Sequence, residues 1–205
     1  MTVTIAEEVL LLAYRPDSGR RAIRSVELNA AVAGGLLAEL AVNGRIALDG
    51  KHLVVSDRSP LGDEELDAAL ARMVADPKPR KPESWVRRLK NTRPRRRLLA
   101  RLIASGVLTE KRAKALGIIP IRVYPTTASD VSKEIRDRVV NALDDAEPDP
   151  RTAALLGLIQ AARLYRKVFP GIDRARLAAL TKHDWVSVAV RRSINTTYAA
   201  AVAVG

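Results

Sequence analysis

"GGLLAELAVNGRIALDGKHLVV" (residues 34–55) joins a helix, its stop and a hairpin in one stretch. Ser25 is placed to cap a helix over Val26–Val42, and Asn43-Gly44 form its C-cap signal. Gly34 and Gly35 each cost about 1 kcal/mol relative to alanine inside a helix. They are read as a place where another backbone, or a ligand, comes close. After Gly44 the period changes. Two short β-prone runs between Arg45 and Val55 flank Asp49-Gly50, a pair that favours a type I′ turn. Aromatic residues make up only 3% of the chain and aliphatic residues dominate, so the core has to be aliphatic and mostly helical. The fold class is therefore mainly α: a compact helical domain with one or two β-hairpins.

The same reading extends to both sides. Thr4-Ile-Ala-Glu7 is a capping box, followed by Ile5, Val9 and Leu12 on one face. Arg15 to Gly19 is a turn. "SPLGDEELDAALARMVAD" (59–76) is a helix with acids in its first turn, and "PKPRKPES" (77–84) is a proline-rich basic hinge. Ser84 is expected to cap a short helix carrying Trp85. Pro94 fits the N1 position of the next helix, which turns Leu98, Leu99, Leu102 and Ile103 inward and ends at Gly106. A long hairpin is expected next, with Val107 and Leu108 going out, Ile121 to Tyr124 returning and a basic tip. Asp130 is read as the cap of a helix to about Ala146. Asp149-Pro150 opens another through Val168, and Asp173 starts one to Lys182. The segment from Asp184 is helical, although Val186, Val188 and Val190 alternate as a strand would. No internal repeat is present. The 205 residues are read as one domain, 1–205.

Composition limits function. There is no cysteine, and His52 and His183 are far apart in sequence. No metal site and no cofactor are expected. The N-terminal stretch has no basic lead-in and is interrupted by Glu7 and Glu8, so it does not read as a signal peptide. No stretch reaches the roughly 20 apolar residues of a membrane span. The expected location is the cytoplasm, with peripheral attachment to the cytoplasmic face of a membrane. The net charge is +12, and residues 78–101 alone hold eleven Lys/Arg against one acid, Glu83. A charge that local points to a polyanion, either a phospholipid surface or nucleic acid. There is no phosphate loop, HExxH or GxSxG pattern and no cysteine nucleophile, so no enzyme is expected. The acid pairs Glu7-Glu8 and Asp144-Asp145 read as helix-end or surface charges.

Arg93, Arg95, Arg96 and Arg97 gather where a helix begins. Guanidinium groups bind phosphate oxygens in paired, charge-assisted hydrogen bonds, and helix N-termini add N–H donors. A nucleic-acid reading competes, because a helix followed by a hairpin is also the outline of a winged helix. Against it, the Val26–Val42 helix has no arginine, lysine or glutamine to read bases, and nucleic acid is not the expected partner.

"TIAEEVLLLAY" (4–14), "GGLLAELAVNGRIAL" (34–48), "SDRSPLGDEELDAAL" (56–70) and "RPRRRLLARLIASGVLT" (93–109), in this order and spacing, resemble the Golgi phosphoprotein 3 family. That family, which has bacterial members, comprises phosphatidylinositol 4-phosphate-binding peripheral membrane proteins. The resemblance implies a mainly helical adaptor, lipid binding by an arginine cluster, and self-association through a β-hairpin. It carries the lipid pocket onto Arg95, with Arg97 a further family arginine. The other three pocket positions fall on Thr92 (beside Arg93), on Ala33 and near Arg24, and differ in residue type. The candidate lipid-phosphate residues are Arg95, Arg97, Arg93 and Arg24. The oligomerisation hairpin is placed on Val107, Leu108, Ile118, Ile119, Ile121 and Val123. Expected partners are an anionic phosphoinositide-like phospholipid, the membrane surface, further copies of the chain and client membrane proteins.

Overall fold

The structure is a computed structural model, and it describes residues 3–115, 118–127, 129–144, 147–182 and 184–202. The chain is 58% helical with two small antiparallel sheets. In order, the elements are α1 (Ile5–Ala13), α2 (Ser25–Val42), β1 (Ile46–Asp49), β2 (His52–Val55), α3 (Glu64–Val74), α4 (Pro82–Leu89), α5 (Thr92–Ala104), β3 (Lys111–Ala115), β4 (Ile119–Val123), α6 (Ser129–Asn141), α7 (Pro150–Ala161), α8 (Tyr165–Val168), α9 (Arg174–Leu180) and α10 (Trp185–Val202). The expected mainly α fold with β-hairpins is present.

α2 is the central post. It packs against α1, α3, α4, α5, α7 and α10, and a stretch from Leu28 to Leu40 is buried almost without a break. A helix apolar on every side must be enclosed on every side. By length and composition alone α2 could cross a membrane, which the sequence reading did not allow for. In the fold it is a core helix. The glycine pair explains the close packing. A Cβ on Gly35 would stand 2.7 Å from Ala6 Cα, and one on Gly34 would stand 2.5 Å from Val190 Cγ2. α1 and α10 approach as near as they do because no side chain stands between. One hydrophobic cluster runs through residues on both sides of the 77–82 prolines, and Arg80, within that segment, bridges to Leu53.

Several local expectations shift. The first hairpin pairs Asp49 with His52, so its turn is Gly50-Lys51, and only Gly50 is left-handed. Type I′ needs two such residues, so that expectation does not hold. Lys81, not Ser84, precedes α4, which opens on Pro82. Asn91 caps α5, placing Pro94 at N3 instead of N1; there too its missing N–H breaks no helical bond. Asp130 lies inside α6 rather than ahead of it. The helix from Pro150 stops at Ala161, where Arg163 turns left-handed at φ 55°, and α8 resumes after it. α10 is helical despite its valine alternation because Val186, Ala189, Val190, Ser193 and Ile194 share the buried face. The expectation for His183 lies outside the described residues, as does the Asp145 half of the Asp144-Asp145 pair.

The acids of α1 are a correction of substance. Glu7 and Glu8 are 2% exposed, not surface charges. Glu7 keeps its capping role and also meets Arg101 Nε at 2.7 Å. Glu8 lies 2.8 Å from Arg138 Nη2 and 3.3 Å from Arg151 Nη2, and Arg151 also holds Glu39 at 2.6 Å. Buried carboxylates persist only when paired. These arginines thus tie α1 and α2 to α5, α6 and α7.

Candidate functional site

The basic stretch is not a uniform cationic face. Of its eleven cations, four are bound to carboxylates: Arg80 and Arg88 to Asp76, Arg97 to Glu65, and Arg101 to Glu7 and Asp63. Lys90 reaches the Thr197 hydroxyl. Six remain, and three of them, Arg93, Arg95 and Arg96, lie together in the first turns of α5.

The backbone there offers less than expected. Asn91 Oδ1 accepts the Arg93 N–H at 2.8 Å, the Asn91 N–H goes to Leu89 O, and Pro94 has none. Thr92 is the remaining donor of the turn. An anion placed there would be held mostly by arginine side chains.

The four candidate arginines separate. Arg97 is turned away from α5's N-terminus onto Glu65, which is 4% exposed. Arg24 immediately precedes α2 and approaches the Tyr198 hydroxyl, which donates to Glu27 Oε1 at 2.5 Å. Arg93 is exposed in the first turn of α5. Arg95 sits apart from all carboxylates among the described residues, and its Nη1 is buried with no hydrogen-bond partner. A buried donor left unmade costs about 1–3 kcal/mol, so an acceptor brought to this nitrogen would be favoured.

Two tyrosines frame Arg95. Tyr14, at the end of α1, and Tyr124, just after β4, meet edge to face with ring centroids 5.1 Å apart. Burial raises the Tyr14 phenol above its ordinary value, and the charges of Arg95 and Arg21 pull it part of the way back. Burial raises Tyr124 as well, with Glu110 adding to it and Arg122 and Arg95 opposing. The loop after α1 is stitched to this corner. Tyr124 N donates to Gly19 O at 2.8 Å and Thr126 N to Pro16 O at 3.0 Å. Gly19 is left-handed at φ 61°, and a Cβ there would strike Pro125 N at 2.3 Å, so only glycine allows the contact. Tyr14 also bridges to Arg21, and Arg20 Nη2 donates to Lys114 O at 3.1 Å. The corner thus gathers Arg20, Arg21, Arg95 and Arg122 around two phenols, with Arg122 paired to Glu110 at 3.1 Å. Arg21, Tyr14 and Tyr124 were missed from sequence. The cations at 20, 21 and 24 were a signal that the loop is basic, but nothing local showed which helix it would meet.

The expected hairpin changes its course. It is β3 and β4, paired Lys111↔Val123 through Ala115↔Ile119. Val107 and Leu108 are not an outgoing strand. They are buried in the core, 5% and 2% exposed, as Val123 is at 6%. They cannot offer an association surface without unfolding the base. Ile121 is half-buried. Ile118 and Ile119 are 80% and 50% exposed and remain available. A separate cleft of about 720 Å³ between α6 and α7 is lined by Asp130, Glu134, Asp137 and Asp149 with Lys133 and Arg138; its acids repel phosphate. Among the described residues no three His, Cys, Asp or Glu side chains cluster as a metal site would need.

The Golgi phosphoprotein 3 (GPP34) family model matches residues 5–197. That span holds α1, the glycine pair of α2, both hairpins and the arginine corner, and by it the chain belongs to the Golgi phosphoprotein 3 (GPP34) family.

Proposed function

We propose that this protein is a non-catalytic peripheral membrane adaptor. In this reading it binds anionic phospholipid headgroups, phosphatidylinositol 4-phosphate-like, through Arg95 and the arginines of its corner, on the cytoplasmic face of a membrane. Arg95 carries the proposal: a guanidinium with a buried, unpartnered nitrogen, framed by two phenols and beside further cations. An incoming phosphate supplies the acceptor that Arg95 Nη1 lacks, and the corner's one carboxylate, Glu110, is already paired with Arg122. Arg93 and Arg96, exposed on the same turns, face the charged leaflet and contribute about 1 kcal/mol each. Further copies of the chain assemble through the hairpin, and client membrane proteins are carried by the assembly.

A winged-helix nucleic-acid reading is not favoured. The helix that would enter a groove is α2, and it is enclosed by six other helices. Flotation with vesicles tests the proposal against this alternative. The protein is expected to float with vesicles containing phosphatidylinositol 4-phosphate or another anionic lipid near physiological salt, and not with neutral ones. A DNA gel shift under the same salt is expected to show no retained complex. Equal flotation on neutral vesicles, or DNA binding that outlasts lipid binding as salt rises, contradicts the reading.

A further inference from the structure

A second cleft, of about 520 Å³, opens where the last turn of α3 meets the 76–81 segment and α4. Arg72, Arg80, Arg88, Asp76 and Trp85 line it, and it shares no residue with the Arg95 corner. Three guanidiniums face one carboxylate. Asp76 takes Arg80 through Nε at 2.5 Å and Nη2 at 3.1 Å, and lies 3.6 Å from Arg88. Arg72 is exposed and has no carboxylate partner among the described residues. The surplus is two positive charges. The C-terminal end of α3 carries only about half a negative charge, which leaves most of that surplus standing.

Trp85 supplies the second, independent observation. It is 3% exposed, and its Nε1 is buried with no hydrogen-bond partner. A buried indole N–H usually finds an acceptor. The Arg88 guanidinium stands over the same ring, 5.8 Å from its centroid. Trp85 and three guanidiniums line the cleft, and its one carboxylate, Asp76, is already engaged by Arg80 and, at 3.6 Å, by Arg88.

We propose that this cleft binds a phosphate monoester. Its charge of about −1.5 to −2 at neutral pH matches the surplus. Its three terminal oxygens can accept from the Trp85 N–H and from Arg72 and Arg88 together. A carboxylate ligand fits less well, because Asp76 already fills the place between Arg80 and Arg88. The monoester can belong to a lipid headgroup or to a soluble metabolite, and the same donors serve both.

The chain has two tryptophans, so its amide spectrum shows two indole N–H signals, assigned by Trp185→Phe. The titrants are inorganic phosphate, glycerol 3-phosphate and short-chain phosphatidic acid below its micelle concentration, each at matched ionic strength. The Trp85 signal is expected to move downfield and saturate, with the Trp185 signal fixed. Arg72→Gln and Arg88→Gln, both changes at exposed side chains, are expected to weaken the response about tenfold or more. Arg95→Gln leaves it in place, which separates this site from the first. A tighter response to the short-chain lipid than to glycerol 3-phosphate assigns the site to a headgroup, and the reverse order to a soluble ester. A Trp85 signal that none of the three moves at millimolar concentration, or a shift untouched by both arginine changes, overturns the proposal.

Discussion

Arg97 is bound to Glu65, a residue 32 positions earlier, through both Nε and Nη2. The contact joins α5 to the first turn of α3. It engages a guanidinium that the family resemblance had offered to the lipid. Glu65 is 4% exposed while the Arg97 side chain is about half exposed, so the pair is partly screened. Arg97→Gln leaves the Glu65 carboxylate without its partner. It is expected to cost about 1–2 kcal/mol, between the values for surface and buried pairs. Thermal unfolding should fall by about 2–4 °C per kcal/mol in a chain of this size, with vesicle affinity changed much less than by loss of Arg95. An unchanged melting temperature with a large loss of affinity would return Arg97 to the lipid site.

The glycine pair of α2 should respond unequally to alanine. At Gly34 the new methyl meets side-chain tips, Val190 Cγ2 at 2.5 Å and Leu158 Cδ2 at 2.6 Å. At Gly35 it meets the Ala6 backbone, Cα at 2.7 Å and N at 2.8 Å. Side-chain tips can rotate aside, whereas a helix backbone has to move as a unit. Overpacking costs about 1–3 kcal/mol, against a helix-propensity gain of about 1 kcal/mol. Gly35→Ala is expected to lower the urea midpoint clearly and Gly34→Ala much less. Equal midpoints would mean that α1 yields as easily as a side chain.

Asp184 contributes an unusual pH dependence. Burial raises its carboxyl above the ordinary range, although the Ser187 and Val186 N–H groups it caps pull the other way. A folded value above the unfolded one means that the folded state holds the extra proton. That stabilisation is full below the unfolded value, near 3.9, and is lost as pH rises through the raised folded value. Asp184→Asn removes the effect and keeps a capping oxygen. The melting temperature of the variant minus that of the parent chain should therefore increase from pH 4 to pH 7. A difference that stays constant, or falls, across that range contradicts the assignment.

Self-association, if the hairpin drives it, rests on Ile118 and Ile119, because Val107, Leu108 and Val123 are committed to the core. Ile118→Ser with Ile119→Ser is expected to give a monomer by light scattering without a change in helical content. Replacing 110–119 by a short Gly/Ser turn should do the same. An oligomer that survives both changes places the interface elsewhere.

Local chemistry was legible in the sequence, and distant pairing was not. The Thr4–Glu7 capping box, the Asn43-Gly44 stop and the Asp149 and Asp173 caps each depend on residues within a few positions, and each is present. The helical spacing of small and apolar residues located the core of α2. Glu7 and Glu8 read as surface charges because their partners, Arg101 and Arg151, come 94 and 143 residues later. Val107 and Leu108 read as a strand because apolar pairs look alike wherever they go; Gly106, left-handed at φ 75°, turns them back over the core. At the candidate site, counting positions put Arg95 near the head of a helix, and the structure has it in the early turns of α5. Counting could not reveal Tyr14, Arg21 and Tyr124 around it, because that corner exists only when the loop after α1 closes on the end of β4.

The most direct test of the central claim compares Arg95→Gln with Arg87→Gln in vesicle binding near physiological salt. Arg87 is exposed on α4 and carries the same charge without a buried, unpartnered nitrogen. The account predicts that Arg95→Gln does not lower the melting temperature and loses about ten- to a hundred-fold in affinity for anionic vesicles, the worth of a charged hydrogen-bond partner. Arg87→Gln should lose no more than the roughly 1 kcal/mol of a diffuse surface charge. Equal losses from the two changes would contradict a headgroup site at Arg95 and leave only a general attraction between a basic protein and a charged membrane.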